Sequence, residues 1–261
     1  MDWENFKWRV ASLRVVGKGL RSIHRAYTQR RWVDSRCYWE EHYARGGISG
    51  PGSLGRLAHA KADFLNRFVE NHHIATVLEI GCGDGNQTSL GIYPSYVGVD
   101  ISAVAVASSR ARFSDDPSKR FFTAGSEPLP ICELGLSLDV TFHLVEDEAF
   151  ERYMLDLLEH SSRFIVLYTT DSDVFLPKER TPRHVRHRPI GRWMATQNAW
   201  RLMARYPNPY PYREGDIRGT SPADFYVYER ISADISAASV SGLEEPAPRL
   251  AAPGARSPST G

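Results

Sequence analysis

The chain has 261 residues, 42% of them hydrophobic and 24% charged, enough to bury one substantial core with a small appendage. Its formal net charge of +1 supplies no global positive field, which argues against a nucleic-acid partner. The three cysteines, Cys37, Cys82 and Cys132, form no CxxC pair for zinc or a redox disulfide, and no apolar run approaches the roughly 20 residues of a bilayer span. A reducing cytoplasm is the expected location.

Residues 1–54 read as an N-terminal helical and lid segment. Lys7, Arg9, Arg14, Lys18, Arg21 and Arg25 interleave with Trp8, Val10, Leu13, Val16 and Leu20, a basic amphipathic pattern. Such a helix can lie on an anionic membrane. Packing on its own domain is the preferred reading, because Gly17 and Gly19 weaken the helix and its apolar face is narrow. Next comes YWEEHYARGGISGPGSLG, residues 38–55, which joins aromatics and acids to a glycine-rich loop suited to a lid that excludes water. Tyr38, Trp39 and Tyr43 are its candidate ligand-facing side chains, with helix packing as the alternative role.

Residues 55–231 carry the alternation of an α/β sheet. Residues 55–71 have helical periodicity, with Leu57, Phe64, Leu65, Phe68 and Val69 on one side. The apolar strand VLEI then runs into Gly81, Gly83 and Gly85, which let the backbone turn tightly and lie against a ligand. A second strand, SYVGVDIS, ends in Asp100 and Ile101 at the separation expected of a ribose-binding acid, about 20 residues on. A dinucleotide site places glycine at the first, third and sixth positions, whereas here the sixth is Asn86. Glu79, just before the turn, would repel a pyrophosphate but balance a positively charged sulfonium cofactor.

A helix through Arg112, a third strand over 119–125, a fourth over 134–144, a helix over 146–160 and the strand SRFIVLYTT follow. Ligands in open sheets bind at the carboxyl ends of the strands, which draws Ser126 and Asp139 into the site. His143 has the pKa range of a general base, and Glu146 or Glu148 could orient it; both acids also suit a helix N-terminus. Asp139 and Glu146 could also gather a divalent ion such as magnesium. Beyond the fifth strand, RTPRHVRHRPIGRW offers His184, Arg186 and His187 as substrate donors, with Arg183 and Arg188 beside them and Trp193 as an apolar face; a solvated basic loop is the alternative. A helix over 191–199 and two strands, WRLMARYP and DFYVYERI, close the domain as an antiparallel edge hairpin. Residues 232–261, rich in Ala, Ser, Pro and Gly, read as a disordered tail.

The VLEIGCGDGNQ turn with the acid of the second strand resembles motif I of the class I S-adenosylmethionine methyltransferases. The resemblance implies a Rossmann-like, seven-stranded, mostly parallel sheet with a terminal antiparallel hairpin and helices on both faces. It also implies a cofactor site of Glu79, Gly81, Gly83, Gly85, Asp100, Ile101, Ser126 and Asp139. With YWEEHY and HLVEDE, the set is similar to a bacterial branch that includes the mycobacterial sugar O-methyltransferases of methylmannose polysaccharide synthesis. That likeness implies methylation of a sugar or oligosaccharide hydroxyl, with His143, Glu146 and Glu148 as the catalytic group. A lipid carboxylate or small metabolite as acceptor, or a non-catalytic cofactor-binding protein, are the alternatives. A homodimer is the assembly considered.

Overall fold

The computed structural model describes residues 32–173 and 181–231. The basic N-terminal pattern of residues 1–30 and the tail of residues 232–261 lie outside the described residues. Helix α1 (Ser35–Ala44) opens the described chain, followed by a loop with a short turn at Pro51–Ser53 and by helix α2 (Gly55–Asn71). Then come β1 (Val77–Ile80), β2 (Tyr96–Asp100), α3 (Ala103–Arg112), β3 (Lys119–Thr123), β4 (Cys132–Leu138), α4 (Asp147–Glu159) and β5 (Ser161–Thr169). A short helix, α5 (Ile190–Met194), precedes β6 (Trp200–Tyr206) and β7 (Asp224–Arg230). The seven strands form one sheet in the order β3-β2-β1-β4-β5-β7-β6.

Strands β1 to β5 pair in parallel, while β7 runs antiparallel to both β5 and β6. The terminal hairpin expected from the sequence is therefore present, and its second strand inserts next to β5. Strand order reverses between β1 and β4, the position beyond whose carboxyl ends open sheets of this kind form their ligand crevice.

Two apolar layers sandwich the sheet. Leu65, Phe68 and Val69 of α2 pack with Leu134, Leu136, Phe164, Val166, Phe225 and Val227. On the other face, Phe150, Met154, Leu157 and Leu158 of α4 meet Leu78, Val97, Val99, Ile165, Leu167 and Tyr228, joined by Ile190 and Met194 of α5. Alternation along β5 and β7 follows from the two-residue period of a strand. The same alternation puts Glu79 with Val77, on the α2 side of the sheet.

The fourth strand is shorter than its apolar pattern suggests. It stops at Leu138, because Asp139 adopts a left-handed backbone conformation with φ 61°, and Thr141–His143 then form a short turn. The expected helix over 191–199 is only Ile190–Met194. Among the described residues, no helix is long and apolar enough to cross a membrane.

Leu136 is fully buried in the central strand β4, so Leu136→Ala should cost about 2–5 kcal/mol in a denaturant-unfolding measurement. Leu202→Ala, on the 53% exposed edge position of β6, should stay within about 0.5 kcal/mol of the parent.

Candidate functional site at the strand reversal

Gly81, Gly83 and Gly85 all have positive φ, at 85°, 62° and 75°, a conformation that side chains rarely tolerate. The turn is also crowded. A Cβ on Gly83 would lie 2.1 Å from Ser49 Oγ, and one on Gly81 would lie 2.5 Å from Val140 Cγ2. Asp100 fixes the turn from the neighbouring strand: Oδ2 accepts the Gly83 N–H at 2.9 Å and Oδ1 accepts the Ser102 N–H at 2.9 Å. Burial raises the Asp100 carboxyl above its ordinary range, opposed by these backbone donors. The Ile101 N–H acts in the same direction, and a carboxylate with its four lone-pair sites still keeps acceptor capacity beyond these backbone donors. Ile101 is half-buried beside it, and Gly125, with φ 80° and nothing near its Cβ position, leaves open space at the end of β3 before the exposed Ser126.

The loop after α1 lies directly on this turn. Ser49 donates from N and Oγ to the two carboxylate oxygens of Asp84, at 3.2 and 2.9 Å, and Ser49 Oγ accepts the Asp84 N–H at 3.0 Å. Since the Ser49 hydroxyl proton is committed to Asp84, the 2.9 Å contact between Tyr43 and Ser49 makes the phenol the donor. Burial pushes the Tyr43 phenol up, so it stays protonated for that role. Asn86 Nδ2 reaches the Ser53 carbonyl, and Gln87 Nε2 donates to the Ala58 carbonyl at 3.1 Å. The loop anticipated as a lid is thus seated on the glycine turn, held by Ser49 and Asp84, two residues the sequence reading did not single out.

On the other side of the crevice, rings gather around His143. Trp39 meets it edge-on at 4.8 Å, and His184 stacks on it at 5.5 Å and on Tyr38 at 4.4 Å. His143 Nδ1 lies 3.0 Å from the His184 carbonyl oxygen, which can only accept, so Nδ1 carries the proton and Nε2 the lone pair. Burial holds the His143 imidazole down at about 4 and that of His184 at about 3; burial also lowers His187, whose Nδ1 lies 2.7 Å from Thr170 Oγ1. All three rings are neutral at pH 7.

Several expected roles shift in this arrangement. The group that orients His143 is the His184 carbonyl; Glu146 instead accepts the Ser35 N–H at 3.3 Å at the start of α1, and Glu148 is exposed on the first turn of α4. Glu79 accepts the Tyr96 hydroxyl at 2.6 Å on the α2 side of the sheet, and burial raises its carboxyl to about 7. Arg186 donates to the Val145 carbonyl and pairs with Asp147 at 3.0 Å, while Arg188 donates to Leu144, Val145 and Asp147. Both arginines therefore clasp the segment that carries His143. Trp193 packs edge-on against Phe150 at 5.7 Å, in the core layer under α4. Asp139 pairs with Lys61 at 2.5 Å, so Asp139 and Glu146 do not converge on one ion. Among the described residues, no group of three or more His, Cys, Asp or Glu side chains is placed to hold a metal. Lys61, 2% exposed, is the charged group that sequence reading passed over. Its signal was its place in the buried stripe, four residues from both Leu57 and Leu65.

Solved structures that share this architecture include methyltransferases. Magnesium protoporphyrin IX methyltransferase from Synechocystis PCC 6803, with bound SAH, is 16% identical with a TM-score of 0.53, over 75% of this chain and 98% of that one. The same enzyme with bound SAM matches at 14% identity and TM-score 0.53, over 77% and 99%. The N-methyltransferase NodS from Bradyrhizobium japonicum WM9 matches at 14% identity and TM-score 0.52, over 68% and 96%. No protein-family model and no curated protein matches the sequence. At these identities the likeness establishes the fold: the chain has the Rossmann-like fold of these methyltransferases, with its seven strands in one mostly parallel sheet.

The neutral imidazoles give the molecule an acid-sensitive site. In the unfolded chain a histidine binds its proton near 6.5, so between about pH 6.5 and 4 the unfolded state takes up protons that folded His143 refuses. Stability from this source is complete above about pH 6.5 and falls as pH drops towards 4. Melting temperature measured across that window should decline on acidification, and the His143 ring signals in an NMR titration should stay those of a neutral imidazole down to about pH 5.

Proposed function

We propose that the protein is an S-adenosylmethionine-dependent O-methyltransferase whose acceptor is a neutral hydroxyl compound, with a sugar or oligosaccharide as first choice. Two features support the reading: a glycine turn after β1 pinned to the carboxylate that ends β2, and, after the neighbouring β4, a histidine whose Nε2 is fixed as the acceptor tautomer.

The residues fit the cofactor. A positive-φ glycine turn lets a ligand approach the backbone, and the Asp100 carboxylate at the end of β2 is the acceptor for a ribose hydroxyl. Bound there, S-adenosylmethionine would supply a methyl group on a positively charged sulfur. The open space beside Gly125 and Ser126 suits the adenine. The seated lid, with Tyr43 and Ser49, must lift to admit the ligand and then exclude water from it.

The chain's own contribution to the chemistry is alignment and proton removal. A neutral hydroxyl is a poor nucleophile, so its proton passes to His143 Nε2 as the oxygen attacks. Burial keeps that nitrogen unprotonated at neutral pH, and the His184 carbonyl stabilises the Nδ1–H that remains. Trp39, which meets His143 edge-on, supplies a ring for the apolar side of a sugar, with His187 as a further polar group. A carboxylate acceptor finds less support, because Arg186 and Arg188 are already paired with Asp147 and with backbone carbonyls.

Calorimetry should show S-adenosylmethionine and S-adenosylhomocysteine binding, with no binding of nicotinamide cofactors. Gly83→Val, which drives a side chain into Ser49 and Tyr43, and Asp100→Ala should each weaken binding sharply. Labelled cofactor is then offered with matched panels of manno-oligosaccharides, free fatty acids and small metabolites. Transfer to a sugar hydroxyl is expected, with His143→Ala lowering turnover by about a hundredfold to ten-thousandfold at unchanged cofactor affinity. Transfer only to a carboxylate or an amine would remove the sugar reading and leave methyl transfer standing.

A further inference from the structure

Lys61 sits where an apolar residue belongs. It occupies the core-facing stripe of α2 with Leu57, Ala58, Ala62 and Leu65, and its Nζ lies 2.5 Å from Asp139 Oδ2 and 5.1 Å from the centre of the Tyr168 ring. A buried ion pair generally stabilises a fold no better than apolar side chains of the same volume, so packing alone gives little reason for a lysine here. Asp139 is unusual in its own right. It is one of two non-glycine residues with positive φ among the described residues, a conformation held by the bond from its N–H to the Tyr168 carbonyl at 2.9 Å.

Its position is at the crevice. The next residue, Val140, packs against Gly81 of the glycine turn, and a Cβ on Gly52 of the lid would lie 2.5 Å from Asp139 Oδ2. Only a glycine lets the seated lid rest on that carboxylate. Asp139 stays 21% exposed at its side chain while Lys61 is 2% exposed, so the pair has a dry end in the core and an accessible end in the crevice.

Resting on the methyl-transfer reading above, we propose that Lys61 is a positioning residue that holds Asp139 as a charge-balanced hydrogen-bond acceptor for a second hydroxyl of the incoming acceptor, beside the one whose proton passes to His143. The balance has a purpose. Methyl transfer discharges a positive sulfur, so an uncompensated carboxylate beside it would stabilise the reactant more than the transition state and slow the reaction. Lys61 offsets that attraction and leaves Asp139 its hydrogen-bonding capacity. Glu79, the other carboxylate on the Lys61 side of the sheet, is occupied by the Tyr96 hydroxyl and does not take this place.

The test compares two ligands that differ by one methyl group and one positive charge. Affinities of S-adenosylmethionine and S-adenosylhomocysteine are measured by calorimetry on the full chain, as wild type, Lys61→Met and Asp139→Asn. Lys61→Met should raise the preference for the charged ligand by roughly tenfold, since the carboxylate is then unbalanced, and Asp139→Asn should lower it by a similar factor. A purely structural pair would shift both affinities together, so a ratio unmoved in both variants overturns the assignment. If Lys61→Met does not fold, Asp139→Asn decides alone, because an unmoved ratio there removes Asp139 from the crevice. Wild-type protein that binds neither ligand would bring down the methyl-transfer reading, and this inference with it, an outcome distinct from an unmoved ratio.

Discussion

The two oxygens of Asp100 organise the glycine-turn half of this molecule. One accepts the Gly83 N–H and the other the Ser102 N–H, so a single carboxylate at the end of β2 ties the glycine turn after β1 to the N-cap residue of α3. The turn needs such an anchor, because glycines with positive φ gain no side-chain packing of their own and lose much freedom on folding. Burial makes the charged carboxylate costly, and the backbone donors offset that cost. Everything laid on the turn, including Ser49, Tyr43 and Val140, depends on this anchor for a surface to rest on.

The opposite wall of the crevice is organised differently. His143 stands on a short turn after β4 and is oriented by a carbonyl 41 residues further along the chain, while Arg186 and Arg188 clasp the carbonyls of Leu144 and Val145. Glu146 then reaches back to the amide of Ser35 at the start of α1, and Ser35 Oγ accepts the Val145 N–H at 2.9 Å. Three separate segments therefore meet at residues 141–147. The acids and arginines that could have served chemistry serve this junction, while Trp39 and His184 pack on His143 and Tyr38 stacks on His184.

What the sequence makes legible is what local pattern dictates. Apolar periodicity marks the strands, the spaced glycines mark the turn, and closely spaced final strands mark an antiparallel hairpin, because none of these needs knowledge of distant partners. Side-chain roles are a different matter. Glu79 and Asp100 both look like cofactor acids, yet strand alternation turns Glu79 toward α2 and Tyr96. Glu146 stands three residues from His143, but its partner is Ser35, 111 positions away. The end of β4 was misplaced because VTFHL continues an apolar pattern, while the left-handed backbone of Asp139 is set by its bonds to Tyr168 and Lys61. Lys61 shows the converse: a charge inside an apolar stripe was a readable anomaly whose meaning required the fold.

The division of labour between the crevice walls bears on how such a protein changes over evolutionary time. The glycine turn and Asp100 belong to the sheet, whose two packed layers resist substitution. The rings around His143 come from α1 and from the segment that includes His184, neither of which contributes a strand. Substitutions in those outlying segments can reshape the wall around His143 while leaving the turn and its anchor untouched. Change on one wall is thereby uncoupled from the other, within one unchanged sheet.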